Sequence, residues 1–184
     1  MVRVADGLQV GLGYLWQPAW RKHGFEDFVD EHRLFEVLQY QYAHPGTGFV
    51  LQLRTRFEQR FRHPEGDVEL GLRARQLVRG SYPLTTDRRL TAVVWDEVFV
   101  NLTDSGHEPT LPDGAMTQVY TPQWQFSGFD QNRAFAGVGY QLVPAVLRAE
   151  LGYMNQYVRR PNNPNNAGDL MGHTALLQLF ASWR

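Results

Sequence analysis

From Phe49 to Phe61 the chain has a period of two. Phe49, Leu51, Leu53, Thr55, Phe57 and Phe61 alternate with Gln52, Arg54, Arg56, Glu58 and Arg60. One set is almost wholly apolar and the other is a ladder of charge. Successive side chains of a strand point to opposite faces, whereas the 3.6-residue period of a helix would mix the two sets. The segment is therefore a strand with one apolar and one charged face, and the fold must give each face its own environment.

The same period recurs through most of the sequence. Leu8, Val10, Leu12, Tyr14 and Trp16 oppose Gln9, Gly11 and Gly13. Leu34, Leu38, Tyr40 and Tyr42 share a face that Glu36 interrupts. Further alternating runs cover 70–78, 132–142, 146–157 and 173–183, and a β-branched run at 89–101 has an ambiguous phase around Asp96 and Glu97. That makes eight strand candidates, each close to the roughly 9–11 residues of a tilted membrane strand. The best helix candidate, Phe25 to Phe35, is short and lies between strands. The odd connections (17–32, 63–67, 102–122, 158–169) tend to be longer than the even ones (44–48, 80–88, 143–145). Outer-membrane meanders show this sorting, with short periplasmic turns and longer outer loops.

Alternation alone does not say which face is the core. The polar face is rich in arginine, while lysine occurs once, at Lys22. A packed polar interior favours the planar, multidentate guanidinium, whereas a water-facing surface normally includes lysine. Glycine recurs on that face at positions 11, 13, 71, 137, 139 and 152, as crowding in a small lumen requires. Tyr14, Trp16, Phe61, Tyr153, Tyr157 and Trp183 fall near strand ends on the apolar face, where interfacial aromatic girdles lie. The mean hydropathy of -0.40 averages these two faces. The sequence thus predicts an all-β, antiparallel up-and-down transmembrane β-barrel, a single domain over 1–184 with eight visible strands, in the bacterial outer membrane. Its partners would be membrane lipid and lipopolysaccharide. The net charge of -1 gives no footprint for nucleic acid. The alternative is a soluble, lipocalin-like binding barrel, which requires Leu51, Leu53 and Phe57 to point inward. Its G-x-W signature is not matched by Gly13-Tyr14-Leu15-Trp16.

Six stretches carry a resemblance: GLGYLWQP (11–18), EHRLFEVLQYQ (31–41), LRTRFEQRF (53–61), VVWDEVFVNL (93–102), GFDQNRAFAGVGY (128–140) and LRAELGYMNQYV (147–158). In this order they resemble the proteobacterial outer-membrane family known as domain-of-unknown-function family 2490. The resemblance implies an exported barrel inserted by the outer-membrane assembly machinery, and it implies no reaction. Family members carry a signal peptide and further strands before the GYLWQP segment, so the expectation here is a barrel lacking N-terminal strands. Barrels of this kind usually end on an aromatic residue, and this chain departs from that, with Trp183 followed by Arg184. If strands are lacking, residues 8–16 pair with the C-terminal strand or a gap is left there, because lipid does not tolerate open edges.

The candidate site is a lumen charge ladder of Arg54, Arg56, Glu58, Arg60, Arg73, Arg75, Glu97, Arg133, Arg148 and Glu150, seven arginines against three acids. It is either a salt-bridged scaffold or a cationic constriction for a small anionic solute, since lumen charges tune selectivity. Asp130 and Asn132 sit at a strand start near the fifth loop, placed to orient it or to bind at the barrel mouth. No catalytic residue, metal site or cofactor is predicted. A lipid-modifying enzyme is the less favoured reading, with Asp104, Ser105 and His107 as the nearest cluster. DFVDEH (27–32) lacks EF-hand spacing, and no H-x-x-x-H pair occurs. The leading reading is a structural or small-solute barrel with an arginine-rich lumen.

Overall fold

The computed structural model describes residues 1–20, 28–63, 69–105, 125–159 and 168–181. Nine antiparallel strands form one sheet in sequence order: β1 (Val2–Ala5), β2 (Leu8–Trp20), β3 (Phe28–Ala43), β4 (Val50–His63), β5 (Glu69–Pro83), β6 (Leu90–Asn101), β7 (Gly128–Val143), β8 (Leu147–Val158) and β9 (Leu170–Ala181). The eight expected strands are all present. The ninth, β1, pairs with β2 through Val2↔Val10 and Arg3↔Gln9. It is too short to show a period.

The main departure lies between β2 and β3. Pairing runs without a break to Trp20↔Phe28, so much of the expected first loop and the second half of the helix candidate are strand. Pro18 and the outward pair Asp30 and His32 hid the alternation. Proline is tolerated here because β2 has no other described neighbour along this stretch.

One end of the sheet carries the tighter turns. Gly48 (φ 71°) closes the 44–49 turn, donating its N–H to His44 O. In the 84–89 turn, Asp87 accepts from Thr85 Oγ1 (2.6 Å) and from the Arg89 N–H (3.1 Å). These bonds, the threonine's first, hold the Asp87 carboxyl below its ordinary range. Ala145 (φ 61°) makes the 144–146 turn.

The sheet rolls up. The Arg79 guanidinium on β5 pairs with Glu150 on β8 and stands 5.8 Å from the Phe180 ring on β9, so strands far apart in sheet order face one another across a lumen. No described pairing or contact joins β9 to β1 or β2. The wall is an incompletely closed barrel, with the gap that was one of the two expected outcomes.

The barrel is polar inside and apolar outside. On β4, Phe57 is 50% exposed and its neighbour Glu58 is 1% exposed; on β8, Leu151 is 59% exposed and Glu150 is 1% exposed. Leu51 and Leu53 share the outer face with Phe57, contrary to the requirement of the lipocalin-like alternative. The phase of β6 resolves with Val93, Glu97, Phe99 and Asn101 inward and Asp96 outward.

Inward glycines make the lumen packable. Gly137 and Gly152 are opposite one another on β7 and β8, and the Phe135 ring lies across both. A Cβ on Gly137 would meet Leu151 O at 2.4 Å, and one on Gly152 would meet Ala136 O at 2.4 Å. Gly13 seats the Phe35 ring in the same way. Overpacking of this kind costs about 1–3 kcal/mol. Gly137→Ala or Gly152→Ala should therefore lower the temperature at which the folded gel band converts to the unfolded one. Gly168→Ala, where a Cβ meets nothing within 4 Å, should leave it unchanged.

Candidate functional site: an arginine–glutamate core in the lumen

Strand alternation puts every member of the predicted ladder on the inner face. The strand order then gathers most of them around three carboxylates, Glu58, Glu97 and Glu150. Glu58 on β4 is the centre. It accepts from Arg73 Nε (2.9 Å) and Arg75 Nη1 (2.9 Å), and Arg56 Nε lies 2.8 Å away. Glu97 on β6 accepts from Arg54 (3.1 Å) and Arg75 (2.9 Å), both at Oε1. Glu150 on β8 pairs with Arg79 and with Arg148 Nε at 2.9 Å. Arg148 also donates to Thr91 Oγ1 at 2.6 Å.

Aromatic rings fill the space between these charges. Arg73, Arg75 and Arg133 stand 5.3, 4.5 and 5.0 Å from the Phe99 ring centroid, and Arg56 stands 3.4 Å from Phe35. A guanidinium is weakly hydrated and stacks on aromatic faces, which suits it to this interior.

Four further residues join the core. Glu31 on β3 accepts from Arg33 Nε and Arg60 Nε, each at 2.7 Å. Arg79 continues the inward phase of Arg73 and Arg75 beyond the expected end of β5. Arg33 and Glu31 lay within or beside what read as a loop. The signal for all three was the unbroken two-residue phase. Gln125 was not foreseeable. It is buried at the root of the long loop, accepts from Arg60 Nη1 (3.1 Å), and donates to Leu72 O (3.0 Å) and Thr103 O (2.9 Å).

The two residues expected at the mouth are separated. Pairing steps from Phe99↔Gln131 to Val100↔Phe129, so Asp130 occupies a bulge, and its Oδ2 lies 3.8 Å from Arg73 Nη1. Asn132 faces outward and donates to Asp96 Oδ1 at 3.0 Å. Outward Glu36 is likewise met by Gln59 at 3.0 Å. Amide donors thus satisfy the two carboxylates that break the apolar belt.

The other clusters have structural uses. Ser105 Oγ donates to Leu70 O at 2.7 Å, and Asp104 accepts from the Ser127 N–H at 2.7 Å. His107 lies outside the described residues, as does the NNPNN tract. In the DFVDEH run, Glu31 faces inward while Asp30 and His32 bond to each other outside at 3.0 Å. Among the described residues no three acidic or histidine side chains could share a metal ion.

Breaking a buried ion pair by removing one partner costs about 3–5 kcal/mol. Glu58→Gln would leave Arg56, Arg73 and Arg75 short of one charge. It is expected to lower the conversion temperature of the folded band further than either glycine substitution does.

A family model described as protein of unknown function (DUF2490) matches residues 1–167. An uncharacterized protein of Methylorubrum extorquens is 31% identical over 183 residues, which cover 98% of this chain and 68% of that protein. No solved structure matches. The family match runs from β1 to the connection before β9 and includes every strand that lines the arginine–glutamate core. The chain belongs to the DUF2490 family, proteins of unknown function.

Proposed function

We propose that the protein is a bacterial outer-membrane β-barrel whose narrow, cationic lumen admits or holds small anions. The observation that carries this reading is the inverted distribution of polarity: charges are buried and large apolar side chains face out. In water that arrangement leaves a costly apolar surface, whereas in lipid it is the stable one. Two further features support it. Tyr40, Tyr42, Tyr82 and Tyr140 ring the turn end of the outer face. At the other end Tyr14 bonds His32 and Tyr153 bonds His173, each pair stacked at 5.8 and 5.9 Å. On β3 the two levels, Tyr40 and His32, are roughly 20 Å apart along the axis at the usual strand tilt.

The solute class follows from charge. Arg33, Arg54, Arg56, Arg60, Arg62, Arg73, Arg75, Arg79, Arg133 and Arg148 share the interior with Glu31, Glu58, Glu69, Glu97, Asp130 and Glu150. That excess of arginine favours anions over cations. A purely structural barrel is the second reading. It is favoured by the burial of Glu58 and Glu150 among their arginine partners.

The barrel reading predicts recovery in the outer-membrane fraction and a folded band that shifts on heating. Recovery of folded protein from the periplasm without detergent would contradict it. In planar bilayers the transport reading predicts a small anion-selective current that falls when Arg54 and Arg56 are replaced by alanine. Absence of current, or a current indifferent to both substitutions, would leave the structural reading.

A further inference from the structure

Arg133 differs from the other core arginines. Among the described residues no carboxylate lies within ion-pair distance of it; its Nε, like those of Arg56, Arg75 and Arg148, is buried without a hydrogen-bond partner. Its register neighbour on β6 is Glu97, the obvious partner. The Glu97 carboxylate is instead turned toward β4 and β5, where Arg54 and Arg75 both bond Oε1. Arg133 is left against the Phe99 ring, with Arg75 over the same ring.

The imbalance extends beyond one residue. Arg54, Arg56, Arg73, Arg75 and Arg133 surround Glu58 and Glu97, with Asp130 as a third and more distant carboxylate. Five guanidiniums against three carboxylates leave two positive charges uncompensated. Glu58 and Arg73 are withdrawn from solvent, so water screens this excess poorly. Buried charge requires a counter-charge. The fork of a guanidinium matches two oxygens of a planar or tetrahedral oxyanion.

We propose that Arg133 and Arg75 form a binding site for one small oxyanion, of the carboxylate or phosphate class, beside Phe99 in the lumen. Arg133 grips the anion through its free donors. Arg75, already held by Glu58 and Glu97 and near the same ring, supplies fixed positive charge beside it. The proposal rests on the barrel reading, since the surrounding sheet is what withholds water from these charges.

The test uses the full chain folded in detergent, with inorganic phosphate as the probe. Phosphate should raise the conversion temperature of the folded band and bind with one-site stoichiometry by calorimetry. Arg133→Gln should keep the heat-shifting band and weaken phosphate binding by about tenfold or more, as loss of a charge-assisted contact does. Arg89→Gln, in the exposed 84–89 turn, should bind as the parent does. A folded, heat-shifting parent that ignores phosphate would overturn the site and leave the barrel standing, and so would an Arg133→Gln variant that responds equally. A chain that shows no heat-shifting band and stays soluble without detergent would overturn the barrel reading and the site together.

Discussion

The structure depends on the pairing of Glu58 with Arg56, Arg73 and Arg75. One carboxylate, withdrawn from solvent, ties β4 to itself and to β5, and Arg75 carries the link on to Glu97 of β6. A charge in such a place is tolerated only when partnered and hydrogen-bonded. The partners must therefore come from the same inner face, and so must the next layer around them. The strict period of two is the sequence-level form of that requirement. A slip of one residue in any register would put arginine on the outer face and leucine among the guanidiniums.

Arginine, phenylalanine and glycine act together in this interior. Guanidiniums are long and planar, and they stack on Phe35 and Phe99 while their edges reach carboxylates. Glycines against the rings make room for two phenyl groups, Gly13 for Phe35 and Gly137 with Gly152 for Phe135. Lysine would supply charge without the flat face, which accounts for its near-absence from the chain. The outer face follows a different rule. Its few polar groups pair with each other locally, as in Glu36 with Gln59 and Asp96 with Asn132, which is what the proposed lipid environment would require of them.

Much of this was legible in the sequence because alternation is a local signal. The eight longer strands and the membership of the ten-residue ladder follow from it, and the choice of arginine over lysine, with glycine on the same face, marked that face as the inner one. Three things did not. The upper part of β2 and the start of β3 keep the inward phase at Glu31 and Arg33, but Pro18, Asp30 and His32 on the other face lie beyond the apolar belt and hid it. The inward turn of Asp130 depends on a bulge between Phe99 and Val100 that nothing in GFDQNR announces. Partners across the lumen depend on curvature: spacing puts Arg79 and Glu150 on one face but cannot bring β5 to β8. The isolation of Arg133 is of the same kind, since its register neighbour Glu97 is drawn away by Arg75 on β5 and Arg54 on β4.

The inside-out polarity is tested most directly by solvent access along β4. The chain has no cysteine, so single cysteines can be placed at successive positions from Leu51 to Arg60 and spin-labelled in lipid vesicles. Molecular oxygen concentrates in the bilayer, and a polar nickel chelate stays in water. The account predicts that odd positions, Leu51, Leu53, Thr55, Phe57 and Gln59, are relaxed by oxygen and shielded from nickel, while even positions are shielded from oxygen. Odd positions that are open to nickel, or an access pattern without a period of two, would contradict it.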